Sequence, residues 1–81
     1  MKLYKFFSKS CIPCRTISGI LKSIEIPENI ELIEIDVELE ENKDMVRKHR
    51  VSGVPTLSFD NGKQLVGLTN KEKILQFING I

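Results

Sequence analysis

Residues 30 to 37, IELIEIDV, place five apolar side chains in eight positions, a run nearly continuous enough for a β-strand covered on both faces. A strand of that kind needs helices above and below it, which points to a layered α/β fold. With 81 residues, folding hides only about 60 to 65% of the unfolded chain's surface, enough for one compact core and too little for two. The expected organisation is a single domain over residues 1–81.

The neighbouring segments fit that layering. Residues 2 to 8, KLYKFFS, mix aromatic and aliphatic side chains in a run too short for a helix and suited to a buried strand. From Ile12 to about Glu25, Cys14, Ile17, Ile20, Leu21 and Ile24 recur at helical steps, and Pro27 stops the helix. Strand, helix, strand implies a right-handed parallel crossover. A second helix is predicted from about Glu41 to His49, with Glu40 and Glu41 near its start and Arg47, Lys48 and Arg50 near its end, as the helix dipole favours. Met45, Val46 and His49 form its inner stripe. Pro55–Asp60 and Lys63–Leu68 flank Asn61-Gly62, the pair best suited to a type I′ turn, and are read as a hairpin. Thr69 followed by Glu72 matches a capping box, and Ile74, Leu75, Phe77, Ile78 and Ile81 continue at helical spacing. The order is β-α-β-α-β-β-α, a mixed four-stranded sheet flanked by three helices.

Composition removes several function classes. Twelve Lys and Arg against eleven Asp and Glu give a formal charge of +1, so there is no bulk attraction to nucleic acid or to an anionic membrane. No apolar stretch approaches the ~18 residues of a transmembrane helix. Lys2, Lys5 and Lys9 interrupt the opening segment where a signal peptide needs an unbroken apolar region. The expected location is the cytoplasm. Glu38, Glu40 and Glu41 read as a solvated helix entry.

Cys11 and Cys14 are the only cysteines. A disulfide between them closes a loop too short to staple the fold, so their role is chemical. One helical turn apart, they can join with little backbone movement. Ser10 precedes the helix and Pro13 sits in its first turn, where a missing N–H costs nothing, so Cys11 falls at the helix N-terminus. There the helix dipole and free N–H groups stabilise a thiolate, and a thiol of pKa ~8.5 typically drops to between about 3.5 and 7.5. Lys9 and Arg15 can add to this effect. Cys14, a turn further in, is placed to remain a thiol until a mixed disulfide forms at Cys11, and then to resolve it. Two blander readings compete. A zinc site needs about four ligands, for which His49 is the only other soft donor and no spacing brings it to the cysteines. The other is a pair of inert core cysteines. His49 itself reads first as a packed, hydrogen-bonded histidine and second as a proton carrier.

The Cys-x-Pro-Cys motif after the first strand, followed by Val51-Ser52-Gly53-Val54-Pro55-Thr56 opening a later one, resembles the thioredoxin-like superfamily over essentially the whole chain. The resemblance implies that the Val54-Pro55 bond is cis, that Pro55 lies against the active-site disulfide, and that the backbone of Val54 docks substrate by strand-like hydrogen bonds. Ile12, Pro13, Val54, Pro55 and Thr56 are then the substrate-binding surface. The length is similar to that of glutaredoxins, since the extra N-terminal strand and helix of most thioredoxins are missing. Yet Pro13 directly precedes the second cysteine as in thioredoxins, and Gly67-Leu68-Thr69-Asn70 stands where glutaredoxins carry Gly-Gly and an acidic pair for glutathione. The chain also departs from thioredoxins: Ser10 replaces the usual Trp, and Lys5 the usual buried acid. Lys5 either lies beneath the active site, stabilising a thiolate without accepting its proton, or snorkels to solvent.

The resemblance implies a protein disulfide oxidoreductase with Cys11 as nucleophile and Cys14 as resolving thiol. It needs no bound cofactor and no metal, only the redox-active Cys11-Cys14 disulfide, with reducing equivalents from NADPH through a thioredoxin reductase. Implied partners are disulfide-containing client proteins, ribonucleotide reductase among them, for a monomeric carrier. The alternatives are a glutathione-coupled, glutaredoxin-like protein and a redox-sensing or metal-binding adaptor.

Overall fold

In a computed structural model, which describes residues 1–80, the first strand β1 (Lys2–Phe7) runs through the interior of a four-stranded sheet. Helix α1 (Ile12–Ser23) follows it and leads to β2 (Glu31–Asp36), which pairs with β1 in parallel, Lys5 opposite Glu34. A 3-10 turn (Glu40–Asn42) enters α2 (Lys43–Lys48), and the hairpin β3 (Thr56–Phe59) and β4 (Gln64–Val66) precedes α3 (Lys71–Asn79). The strand order is β2-β1-β3-β4, with β3 antiparallel to both its neighbours. This is the expected mixed sheet with three helices.

Side chains alternate across the sheet, and the two faces differ in weight. Leu3, Leu57 and Phe59 pack with Ile17 and Leu21 of α1 and with Ile74 and Ile78 of α3 in one buried cluster. Each such residue contributes about 1.5–3 kcal/mol relative to exposure. On the other face α2 buries no residue of its own, so most of the apolar stabilisation lies on the side that also carries α1 and the cysteines.

Several local expectations give way to tertiary context. The hairpin does not use a type I′ turn, because that turn needs positive φ at both central residues, and among the described residues Arg50 is the only non-glycine with positive φ. Instead Phe59 pairs with Lys63 around the three-residue loop Asp60-Asn61-Gly62, in which Gly62 (φ 92°) takes the left-handed position and its N–H donates to Phe59 O at 3.0 Å. Asn61 contributes a side-chain acceptor to Lys63 N at 2.9 Å, the other conformational use of asparagine in turns. Helix α3 is capped by Asn70, whose Oδ1 accepts from Lys73 N at 2.9 Å. The Thr69–Glu72 capping box does not form, and the Thr69 hydroxyl is buried with no hydrogen-bond partner among the described residues. Ile81, read as the last position of the α3 stripe, lies outside the described residues.

The second helix is shorter than predicted, and its end is built without glycine. Arg50 takes φ 53°, its N–H donates to Arg47 O, and Val51 N–H donates to Val46 O, both at 3.1 Å. These are the two bonds of a Schellman termination, and they turn the chain toward Pro55.

His49 closes α2 and is buried between aromatic rings, 4.8 Å from Tyr4 and 5.4 Å from Phe6. Its Nδ1 lies 2.7 Å from Ser58 Oγ, and its carbonyl accepts from the Gln64 side chain. It is the packed, hydrogen-bonded residue of the blander reading. Burial first, and then the Lys48 charge, hold its pKa below the ordinary 6.5, with Asp60 opposing. Between the lowered value and 6.5 the unfolded chain binds more protons than the folded one, so stability rises with pH across that window. Urea midpoints should therefore fall on acidification from pH ~7.5 to ~5. His49→Gln should remove that component, and an unchanged slope in this variant would exclude His49 as its source.

Candidate active site

Cys11 caps α1. Its backbone is extended (φ −85°, ψ 107°) and its Sγ accepts from Cys14 N at 3.1 Å, the geometry in which a capping atom takes a first-turn N–H. Sulfur thus occupies the place of the oxygen in an ordinary Ser or Asp cap. Pro13 stands in the first turn, which holds no acidic side chain to offset the positive end of the dipole. The two cysteines form a disulfide with Cα atoms 5.2 Å apart.

The two sulfurs differ in access. Cys14 is 3% exposed, whereas Cys11 is half-buried and its neighbour Ile12 is 72% exposed. A reactant arriving from solvent meets Cys11 and an apolar side chain beside it, and cannot reach Cys14 directly. Lys9 and Arg15 are exposed, with Arg15 donating to the Lys9 carbonyl at 3.5 Å. Their charges act on the disulfide region through solvent, where salt screens them.

Lys5 does not snorkel. It is 3% exposed, and its Nζ donates to Ser18 Oγ and to Glu34 Oε1, each at 2.5 Å, with the Phe7 ring centroid 5.2 Å away. The cost of burying an ammonium is met by one full and one partial negative charge. Lys5, Ser18, Glu34 and Cys14 line one groove of about 600 Å³. Sequence reasoning missed Ser18 and Glu34. A signal was present in part: Ser18 is four residues after Cys14 and so on its helix face, but the pairing of Glu34 with Lys5 depends on the β1–β2 register.

The Val54-Pro55 peptide bond is cis. Pro55 is buried and shares a small apolar cavity with Ile17, one turn beyond Cys14, while Val54 is half-buried beside Val46 and Val51. Thr56 is 1% exposed and its hydroxyl donates to Gly53 O at 2.7 Å, so its side chain braces the loop from inside. His49 lies with Tyr4 and Phe6 on the sheet face opposite Leu3 and Lys5 and does not join the cysteines. Among the described residues no three His, Cys, Asp or Glu side chains cluster as a metal site would require.

A helix-capping disulfide with one accessible sulfur can exchange with an external thiol or disulfide. Comparison with known proteins points the same way. A thioredoxin family model matches residues 1–80. A thioredoxin of Chlamydia caviae is 32% identical over 81 residues, covering 95% of this chain and 78% of its own length. That of Chlamydia pneumoniae is 37% identical over 84 residues with the same shares. NADPH-dependent thioredoxin reductase 3 of Arabidopsis thaliana is 25% identical over 80 residues, 94% of this chain and 15% of that protein. Among solved structures, a mutant thioredoxin from Halobacterium salinarum superposes with TM-score 0.80 at 26% identity, covering 98% of this chain and 72% of that one. Oxidized mitochondrial thioredoxin 3 from Saccharomyces cerevisiae gives 0.79 at 22% identity, over 99% and 77%, a likeness of fold.

Proposed function

Because this chain belongs to the thioredoxin family and is a protein thiol–disulfide oxidoreductase, we propose that Cys11 is its attacking thiolate and Cys14 its resolving thiol, within one thioredoxin domain. The observation that carries this assignment is the difference in access, with an approachable sulfur at the helix N-terminus and a buried one a turn behind it. Cys11 Sγ⁻ attacks one sulfur of a client disulfide, whose other sulfur leaves as thiolate and takes a proton. Cys14, deprotonated, then attacks Cys11 Sγ, closing Cys11–Cys14 and expelling the second client sulfur. Two electrons pass from the dithiol to the client.

Lys5, an ammonium in the groove that Cys14 lines, favours the Cys14 thiolate by charge. Its carboxylate partner Glu34 faces solvent. Lys9 and Arg15 make a weaker, screened contribution at Cys11. Ile12, Pro13 and the backbone of Val54 form the client surface, with the buried Pro55 and Thr56 beneath it holding the loop in shape. A client segment adds there as a short strand.

The reducing equivalents come from NADPH through a thioredoxin reductase, a reading supported by the likeness to part of a plant thioredoxin reductase and by the missing glutathione-binding acids. The protein works as a monomer in the cytoplasm, and among the described residues no helix is long and apolar enough to cross a membrane. Ribonucleotide reductase is proposed as one client, on the resemblance to small redoxins.

Equilibration with glutathione tests the reductant role. A potential near ~−270 mV is expected, and one above about −180 mV would overturn it. Recycling by NADPH with a thioredoxin reductase, and not by glutathione with its own reductase, is the expected companion result. The reverse would favour the glutaredoxin-like alternative.

A further inference from the structure

Charge is unevenly distributed around the groove that Cys14 lines. Lys5, Lys9, Arg15 and Lys22 share it with one carboxylate, Glu34. Glu34 is already held by the Lys5 ammonium at 2.5 Å, and among the described residues the only other ion pair is Arg47 with Asp44 on α2. Lys9, Arg15 and Lys22 thus face the groove without a carboxylate partner, although the whole chain carries only +1. Ser18 adds a donor: its oxygen accepts from Lys5 Nζ, which leaves the hydroxyl proton to give to a further acceptor.

The groove also has a direction. Cys14, Ser18 and Lys22 are spaced four residues apart on α1 and stand along one face. A client reacts at Cys11, which caps this helix; from there the helix rises about 10 Å to Ser18 and about 16 Å to Lys22, the length of about three to five residues of extended chain. A concave patch of unpaired cations beside a reacting group concentrates anions and speeds their encounter.

We propose that this groove selects clients by charge: the preferred substrates are protein disulfides whose reacting cysteine has aspartate or glutamate about three to five residues away, with those carboxylates lying toward Ser18 and Lys22. The inference rests on the oxidoreductase reading and names its substrate class. Lys9 and Arg15 attract the segment close to the disulfide, and Lys22 reads its far end. A basic segment in the same place is repelled.

The test uses the reduced protein and two disulfide-bridged peptides of equal length, differing only in Glu or Lys at the third to fifth positions from the reacting cysteine. Stopped-flow measurement of dithiol oxidation should give a rate constant about tenfold or more higher for the Glu peptide at low salt. At ~1 M salt, where the Debye length is about 3 Å, the ratio should fall to about threefold or less. Lys22→Glu should collapse the low-salt ratio. Equal rates for the two peptides, or a ratio indifferent to Lys22→Glu, would overturn the inference while leaving the oxidoreductase reading intact. Failure of both peptides to oxidise the dithiol would overturn the reading and the inference together.

Discussion

Cys11→Ser is expected to lose protein disulfide reduction by on the order of 10³-fold or more, down to the uncatalysed background. The serine hydroxyl can still cap α1, so the fold should survive. It ionises far too weakly at neutral pH to attack a disulfide, and oxygen cannot hold the mixed intermediate. Cys14→Ser should behave differently. Cys11 remains approachable and keeps its place at the helix N-terminus, so the first exchange proceeds and the client stays attached. Covalent complexes that resist denaturant and dissolve in dithiothreitol should accumulate, approaching one client sulfur per chain. Insulin turnover followed by turbidity reads the first variant, and mass spectrometry of the trapped species reads the second. Undiminished turnover in Cys11→Ser would refute the assignment of the nucleophile. Client adducts on Cys14 in the Cys11→Ser variant, with none on Cys11 in the Cys14→Ser variant, would reverse the two roles.

The second large effect concerns the buried ion pair, and its two halves should respond unequally. Glu34 is 57% exposed at its side chain while Lys5 is 4%. Glu34→Ala leaves an ammonium in the interior with the Ser18 hydroxyl and the Phe7 ring but no carboxylate, and should cost about 2–3 kcal/mol. Lys5→Met removes the buried charge, fills the space with a flexible apolar chain and lets the Glu34 carboxylate return to water, so stability should stay within about 1 kcal/mol of the parent. Urea unfolding of both variants decides this, and equal destabilisation would mean that Lys5 is not dependent on Glu34. Lys5→Met carries a second readout that packing alone would not move. Without the ammonium the Cys14 thiol of the reduced protein should ionise at higher pH, seen as an alkaline shift in its alkylation profile after Cys11 has been blocked. An unshifted profile would separate Lys5 from the chemistry.

The difference between these two residues and the cysteines also explains what the sequence made readable. Cys11, Pro13 and Cys14 act through one turn of helix, so their spacing carries nearly all of their geometry. The apolar stripes of α1 and α3 were legible for the same reason, since each element presents its own period. Lys5 was not: an isolated lysine on a strand has two fates, and the choice depends on Glu34 and Ser18, 29 and 13 residues away in sequence. The hairpin failed in a subtler way. Asn61-Gly62 suits a two-residue turn, but the strands pair in a register that places Phe59 opposite Lys63, and three residues must then close the loop. Arg50 is the hardest case, since nothing local favours a left-handed arginine. Its conformation is fixed from beyond α2, where Gln64 holds the His49 carbonyl and Ser58 its ring.

The order of the strands also bears on how this protein behaves when crowded. Its two free sheet edges are β2 and β4. The β4 edge spans only Gln64–Val66 before Gly67 turns the chain away with φ 85°, too short to template another strand. The longer β2 edge carries Glu31 and Glu34, so an in-register copy pairing there would stack carboxylate on carboxylate. Short or acid-lined edges are how sheets avoid aggregating through their margins. With one margin short and the other charged, the sheet offers a second copy of the chain little backbone to pair with.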